Sequence, residues 1–395
     1  MLSRLMFLGL MSVSIAASLS VPVYGESSSR LNQKIPFSLT QGSTSDADKL
    51  FERGVQLFRQ GLYFQAIPVY QRVLEIRRQQ GNQAEVARIL NNIGEVYLKL
   101  DKNEKANQFL QSALTIRRQL KDVKGEGETL NHIGYVYFTR KEYDKSLKLL
   151  QQALAISRRV NDRKGEGRTL ANIGIVYSFG FNNDAEASKF LEQAFRIHQE
   201  VGDKYQAGFT LPNLAQIYGV LNQYPRAFEV LEKAKLINNQ IDNQVAEVKR
   251  FAILSWLHFR QQDKQRAIQF GEQALLLARK NNLRLDELRR LNWLVTVYST
   301  INIPPQTLID YARNAVNIAR ELKKPKLEAE ALNNLAQGYI SLENYDKALD
   351  ILQAGVKIAR EVNNFDAESL ALSKLNWIYT LQGKNDKVIE ASLRE

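Results

Sequence analysis

His132, His198 and His258 are the residues of this 395-residue chain best suited to move protons or hold a metal ion. Their spacing matches neither an HExxH helix nor a nucleophile-base arrangement, so no catalytic and no metal-ligating residue is expected. Glu126 and Glu128 form the most conspicuous carboxylate pair. They sit in "GEGE" at the start of a helical pattern, where acidic side chains favourably meet the amino-terminal helix dipole. The glycines beside them are not a phosphate loop, since no strand precedes them and no Lys-Ser/Thr pair follows. The chain has no cysteine, which removes disulfides, thiolate metal sites and thiol catalysis. A non-enzymatic protein without a cofactor is expected.

What repeats instead is packing chemistry. Gly94 and Tyr97 return as Gly134 and Tyr137, then as Gly174 and Tyr177. The tyrosine register continues through Tyr218, His258, Tyr298, Tyr339 and Tyr379 in steps of 40 or 41 residues. A second ladder of small residues runs Val73, Ala113, Ala153, Ala194, Ala234, Ala274, Ala315 and Gly355 with the same step. Two ladders of one period mark an array of stacked supersecondary units.

Leu90, Ile93, Val96, Tyr97 and Leu100 recur at three and four, the stripe of a helix over about 84–100. Ala106, Phe109, Leu110, Ala113 and Leu114 describe a second helix over about 103–120. The short "DKN" between them forces an antiparallel hairpin. Gly94, Ala113, Gly134 and Ala153 are expected where paired helices approach closest, because larger side chains would push the axes apart. Gly125, Gly165 and Gly202 are expected at the joints between hairpins, and Pro212 is expected to bend its helix. The rule yields nine hairpins over residues 46–395, the last one short.

The order of large, small and aromatic positions in Leu90, Ile93, Gly94, Tyr97, Ala106, Leu110 and Ala113 resembles the tetratricopeptide repeat family. A unit near 40 residues is similar to its longer-repeat subgroup in bacterial and cyanobacterial scaffold proteins and motor-adaptor chains. The resemblance implies an all-α fold, a right-handed superhelical solenoid of antiparallel hairpins. It also implies a concave groove, walled by the first helices, that takes a peptide or a partner domain. Carried onto this sequence, the groove positions include Arg88, Asn91, Glu95, Asn131, Tyr135, Lys249, Trp256, Arg260, Asn292, Asn333 and Gln337. Four asparagines at one register fit backbone recognition, since each amide both donates and accepts. Trp256 beside Arg260 fits a partner anchor. Trp293 and Trp377 are expected to pack between neighbouring helices.

Arg4 followed by the apolar run 5–19 and a small-residue boundary near Gly25 reads as an export signal, residues 1–25. Residues 26–45, rich in Ser, Thr, Gln and Gly, read as a flexible linker. Signal and composition together predict an exported protein, periplasmic or extracellular, left anchored if the signal stays uncleaved. The formal charge of +12 gathers partly at the ends of second helices, in Arg77-Arg78, Arg117-Arg118, Arg158-Arg159, Arg279-Lys280, Arg320 and Arg360. Such a basic edge could meet an anionic envelope polymer or membrane surface. Aromatics do not interleave with that edge, so nucleic acid is not expected. The leading expectation is an envelope scaffold for a protein or peptide partner. Behind it stand the basic-edge envelope protein, a regulatory subunit of a separate enzyme or receptor, and self-association.

Overall fold

The computed structural model describes residues 44–301 and 303–384. Export signal, most of the linker and the second half of the ninth hairpin lie outside the described residues. The described chain is a repeat of paired α-helices of the superhelical solenoid class, with no strand among the described residues. It divides into two compact units whose boundary falls between Ile253 and Leu254.

The amino-terminal unit contains α1 (Thr44–Arg59), α2 (Tyr63–Gln79), α3 (Gln83–Lys99), α4 (Asn103–Gln119) and α5 (Val123–Thr139). It continues with α6 (Tyr143–Arg159), α7 (Arg163–Phe181), α8 (Asp184–Glu200), α9 (Lys204–Val220) and α10 (Tyr224–Ile241). The boundary cuts α11 (Gln244–Arg260). The carboxy-terminal unit holds the end of α11, then α12 (Lys264–Lys280), α13 (Arg284–Tyr298), α14 (Pro305–Glu321), α15 (Pro325–Ser341), α16 (Tyr345–Glu361) and α17 (Phe365–Leu381).

Most helices are 17 residues long, and a three-residue link follows. Most links carry a left-handed residue, as at Gly61, Gly81, Asp101, Lys121, Lys141 and Asn161, where it recurs every 20 residues; the longer link between Tyr298 and Pro305 departs from this form. The recurring links inside hairpins and between hairpins therefore have the same form. Asparagine, aspartate and glycine tolerate that backbone best, yet Lys121, Lys141 and Lys323 also adopt it.

Several helices are capped by the side chain of the residue before them. Asn82 accepts from the Glu85 N–H at 3.2 Å, Asp122 from Gly125 at 2.9 Å and Asp203 from Gln206 at 3.1 Å, each satisfying a donor left open at a helix start. Gly125 and Gly165 thus lie in first helical turns and not at the links where glycine was expected. A Cβ on Gly125 would stand 2.0 Å from an Asp122 carboxylate oxygen, and one on Gly165 2.4 Å from the Asp162 oxygen. Pro212 sits inside α9, which runs unbroken from Lys204 to Val220.

Across the second, third and fourth hairpins, small meets large. A Cβ on Gly94 would stand 2.6 Å from Leu110 Cγ, on Gly134 2.8 Å from Leu150 Cγ, and on Gly174 2.9 Å from Leu191 Cγ. Ala113 and Ala153 are fully buried. Tyr97 stacks on Phe109 at 5.4 Å and Tyr177 on Phe190 at 5.2 Å, each tyrosine lying flat on its own second helix. Tyr137 lies under two cations, with the Arg140 guanidinium and the Lys145 ammonium each 5.7 Å from its ring centroid.

Candidate functional site

First helices touch the first helices of the next hairpin as well as their own partners: α3 meets α5, α5 meets α7 and α7 meets α9, while α13 meets α15 and α15 meets α17. This makes them the inner layer of each unit, and the side chains that face away from the second helices form an inner wall.

In the amino-terminal unit that wall is built of amides and charges. Arg88 pairs with Glu85 and lies 3.9 Å from the Phe51 ring centroid. One register on, Glu128 receives Arg117 at 3.0 Å and lies 3.7 Å from Arg168. Burial works to raise the Glu128 carboxyl, but Arg168 and Arg117 hold it below the ordinary carboxylate range. Burial lowers the Lys99 ammonium and the His132 imidazole, and Glu95 opposes both shifts. Lys249 donates to Asn213 Oδ1. Tyr135 is half-buried, its ring 5.5 Å from Phe138. The wall curls far enough to bring Arg59 at the end of α1 to 6.0 Å from the Tyr205 ring at the start of α9, four hairpins away.

The expected asparagines are placed differently from an open amide ladder. Asn91, Asn131, Asn292 and Asn333 are buried, exposed by 1%, 5%, 9% and 2%. Three of them tie one repeat to the next: Asn131 Oδ1 accepts from Asn172 at 3.0 Å, Asn292 Oδ1 from Asn334 at 3.3 Å, and Asn333 donates to the Ala367 carbonyl at 2.8 Å. The half-buried amides one residue later, Asn92, Asn172 and Asn334, form the wall itself. The doublets Asn91-Asn92 and Asn333-Asn334 carried that signal, but a one-residue step turns a helical side chain by about 100° and sequence alone does not say which member turns inward.

In the carboxy-terminal unit the wall is aromatic. Trp256 is mostly buried, with the Arg260 guanidinium 5.5 Å from its ring centroid. Trp293 donates its indole N–H to Ser255 Oγ at 2.7 Å and meets Phe259 edge-on at 5.3 Å. Trp377 does not pack between helices as expected: it is 48% exposed, with one contact to Tyr345 at 6.1 Å. Gln337 is half-buried on α15.

No group of three or more potential ligands fit to hold a metal ion occurs among the described residues. His198 is sealed inside, 1% exposed, and burial lowers it to about 4. His258 stacks on Phe270 at 5.3 Å in the register of the packing tyrosines. No described helix is long and apolar enough to cross a membrane.

The expected basic edge is largely spoken for. Arg118 pairs with Glu126 at 2.8 Å, Arg158 with Glu166 at 2.9 Å, Arg279 with Glu287 at 2.9 Å, Arg320 with Glu328 at 2.7 Å, and Arg360 with Glu368. Each arginine closes on the first turn of the next hairpin, so these cations staple repeats together. Arg77 pairs with Asp48.

Models described as tetratricopeptide repeat match residues 45–119 and 126–200, and a further one matches 329–366. A search of curated proteins found no match. Among solved structures, the apo form of the quorum sensor NprR from B. thuringiensis is similar with a TM-score of 0.58 at 13% identity, covering 88% of this chain and 96% of that one. The Rap conjugation gene regulator of plasmid pLS20 in complex with the Phr* peptide gives 0.57 at 15%, covering 74% and 81%. A Rap protein complexed with competence and sporulation factor gives 0.56 at 14%, covering 88% and 100%. These similar proteins are cytoplasmic regulators, not periplasmic or extracellular proteins, and that finding overturns the exported placement expected from residues 1–25. Tetratricopeptide repeats are thus matched over residues 45–119, 126–200 and 329–366 of an all-α solenoid fold.

Proposed function

We propose that this chain is a non-enzymatic scaffold of the longer-repeat subgroup that holds a peptide, or an extended segment of a partner protein, along the inner walls of its first helices. The observation that carries this reading is the second asparagine ladder. Asn92, Asn172 and Asn334 stand half-buried on first helices, and Asn172 and Asn334 each donate one hydrogen bond to the buried asparagine of the preceding repeat, which fixes the amide on the wall. An amide so placed keeps hydrogen-bonding capacity for a backbone laid along the wall. Two of the similar Rap structures hold a peptide or a peptide factor, which supports the same use of the fold here. Their description as regulators favours a regulatory partner, an enzyme or a receptor separate from this chain.

The test is photo-crosslinking from two sites. A photoreactive residue at Asn172, on the inner wall, is compared with one at exposed Lys233, on the second helix α10, in whole-cell extract. A discrete crosslinked polypeptide from position 172 alone is the expected result; the same products from both positions would remove the wall from the binding reading.

A further inference from the structure

All three tryptophans of the chain lie in the carboxy-terminal unit, and each sits on a first helix: Trp256 on α11, Trp293 on α13 and Trp377 on α17. Each has a cation one helical turn away on the same face, Arg260 after Trp256, Arg289 before Trp293 and Lys374 before Trp377. Trp256 and Trp293 are held in place by the protein itself, the first by burial and the second by Ser255 and Phe259. Trp377 is not. It leaves 48% of its surface in water, and Leu381, one turn further, leaves 55%. Two large apolar side chains open on one helix face, next to an ammonium, make a surface that gains by being covered.

We propose that this wall anchors an acidic polypeptide segment, whose apolar side chain covers Trp377 and Leu381 while a neighbouring carboxylate pairs with Lys374. The inference rests on the scaffold reading and names the partner chemistry of one of its two walls. Charge complementarity selects an acidic partner. Arg260, Arg289 and Lys374 lie on the first helices of this wall; Asp286 lies 4.0 Å from Arg289, and Glu330 is pushed up to about 7 by burial, so that it is only partly charged near neutrality. Arg289, Lys326 and Asp366 are the charged groups around that carboxyl. Lys374 donates to the Asn333 carbonyl at 3.0 Å, which ties its ammonium to the backbone of α15. Asn334 and Gln337, on the adjoining α15, add amides at the height a peptide backbone would occupy. The occupant is a polypeptide and not a nucleic acid, because Trp256 and Trp293 have no open face on which bases could stack, and Asp366 and the charged fraction of Glu330 repel phosphate.

The chain offers its own reporter, since every tryptophan signal arises on this wall. The probe is a capped octapeptide of Asp and Glu interleaved with Leu and Phe, labelled at one end. Comparison probes are its Lys/Arg counterpart with the same apolar residues, an acidic version with Leu and Phe replaced by Ser, and an oligothymidylate. Tryptophan emission and label anisotropy are read together. The expected result is a saturable emission change with the acidic apolar peptide alone. Its affinity should fall about tenfold in Trp377→Ala and about fivefold in Lys374→Gln, and should be largely kept in Trp377→Phe. Trp377 stands at the surface of α17 and Lys374 is half-buried, its ammonium pushed down to about 8 by burial and so still mostly charged near neutrality; circular dichroism checks the fold of both variants. Equal binding of the basic peptide or the oligothymidylate overturns the inference, as does an affinity unchanged in Trp377→Ala. Anisotropy that reports binding lost in Asn172→Ala, but not in the α17 variants, would overturn it while leaving the scaffold reading in place.

Discussion

The amino-terminal and carboxy-terminal units keep the same helical period with different side chains at their closest contacts. At the closest approach within a hairpin, the first carries Gly94, Gly134, Gly174 and Ala215, and the second Ser255, Val295, Ala336 and Asn376. The facing register changes in step: Leu110, Leu150, Leu191 and Leu231 give way to Gly271, Ala312 and then Leu352. Gly271 makes the exchange visible, because a Cβ there would stand 2.7 Å from Leu294 and 3.2 Å from Ser255 Oγ. Near the end of second helices, the amino-terminal unit buries Arg77, Arg117, Ser157, His198 and Asn238, and the carboxy-terminal unit buries Ala278, Ala319 and Ala359. The bulk at a close approach comes from the facing residue, as Leu110 supplies it for Gly94, or from a third helix, as Leu294 supplies it for Gly271. Polarity at this buried register varies: Arg77 and Arg117 pair with Asp48 and Glu128, whereas both ring nitrogens of His198 are buried without a hydrogen-bond partner.

The sharpest way to break this comparison is to add bulk where the facing residue is already large. Gly134→Leu should cost about 2–3 kcal/mol by driving a side chain into Leu150, whereas Val295→Leu, opposite Ala312, should cost less than about 1.5 kcal/mol. Denaturant unfolding of both variants decides it, and equal losses would mean that facing volume does not set the spacing.

Acid should separate the units next. His198 is lowered to about 4 by burial, so its contribution to stability is full above its ordinary value and is lost as pH falls toward 4. At pH 5 the amino-terminal unit should be weaker by about 2 kcal/mol than at neutrality. Glu330, raised to about 7, has the opposite sign: its contribution is complete below the ordinary carboxylate value and is lost as pH rises through 7. Hydrogen exchange resolved by segment should show faster opening of α7 to α9 at pH 5 but not of α15. In His198→Asn, which copies Asn238, that difference should shrink.

A smaller effect is expected from the amides between repeats. Asn131→Ala and Asn292→Ala should each cost about 1 kcal/mol in stability, since each removes a buried acceptor from the asparagine of the next repeat. Unchanged melting temperature with weakened partner binding would instead return these residues to the wall. The smallest effect should come from the arginine staples. Arg158–Glu166–Arg163–Glu200 and Arg279–Glu287–Arg284–Glu321 are the same network 121 residues apart. Arg158→Ala and Arg279→Ala should thus cost similar amounts, within about 1 kcal/mol, and added salt should reduce both.

Much of this was legible in the sequence. The tyrosine register and the Gly94, Gly134 and Gly174 ladder give helices, hairpins and period, because close packing restricts those positions to few residue types. The walls were read less well, for a geometric reason. Asn91 and Asn92 differ by one residue and by a third of a helical turn, and composition does not say which one lies between repeats. Trp377 was expected in the packing because large apolar residues are usually buried, and its exposure follows only from its register on α17. The arginines at helix ends look like a free basic edge until the chain is folded. Their glutamates lie eight residues downstream, as Glu166 does from Arg158, and a link reverses the chain between them.

The recurrence of a left-handed residue every 20 positions has a consequence for how such a chain tolerates being lengthened or cut. Because the link inside a hairpin and the link between hairpins share one form, nothing in the backbone marks where a repeat begins. Removal of 40 residues between equivalent links would leave every remaining helix on its own side. Removal of 20 would meet no conformational obstacle at the junction, yet everything downstream would be turned inside out, with wall residues facing water and arginine staples facing the interior. Reading frame in this molecule is kept by side chains alone.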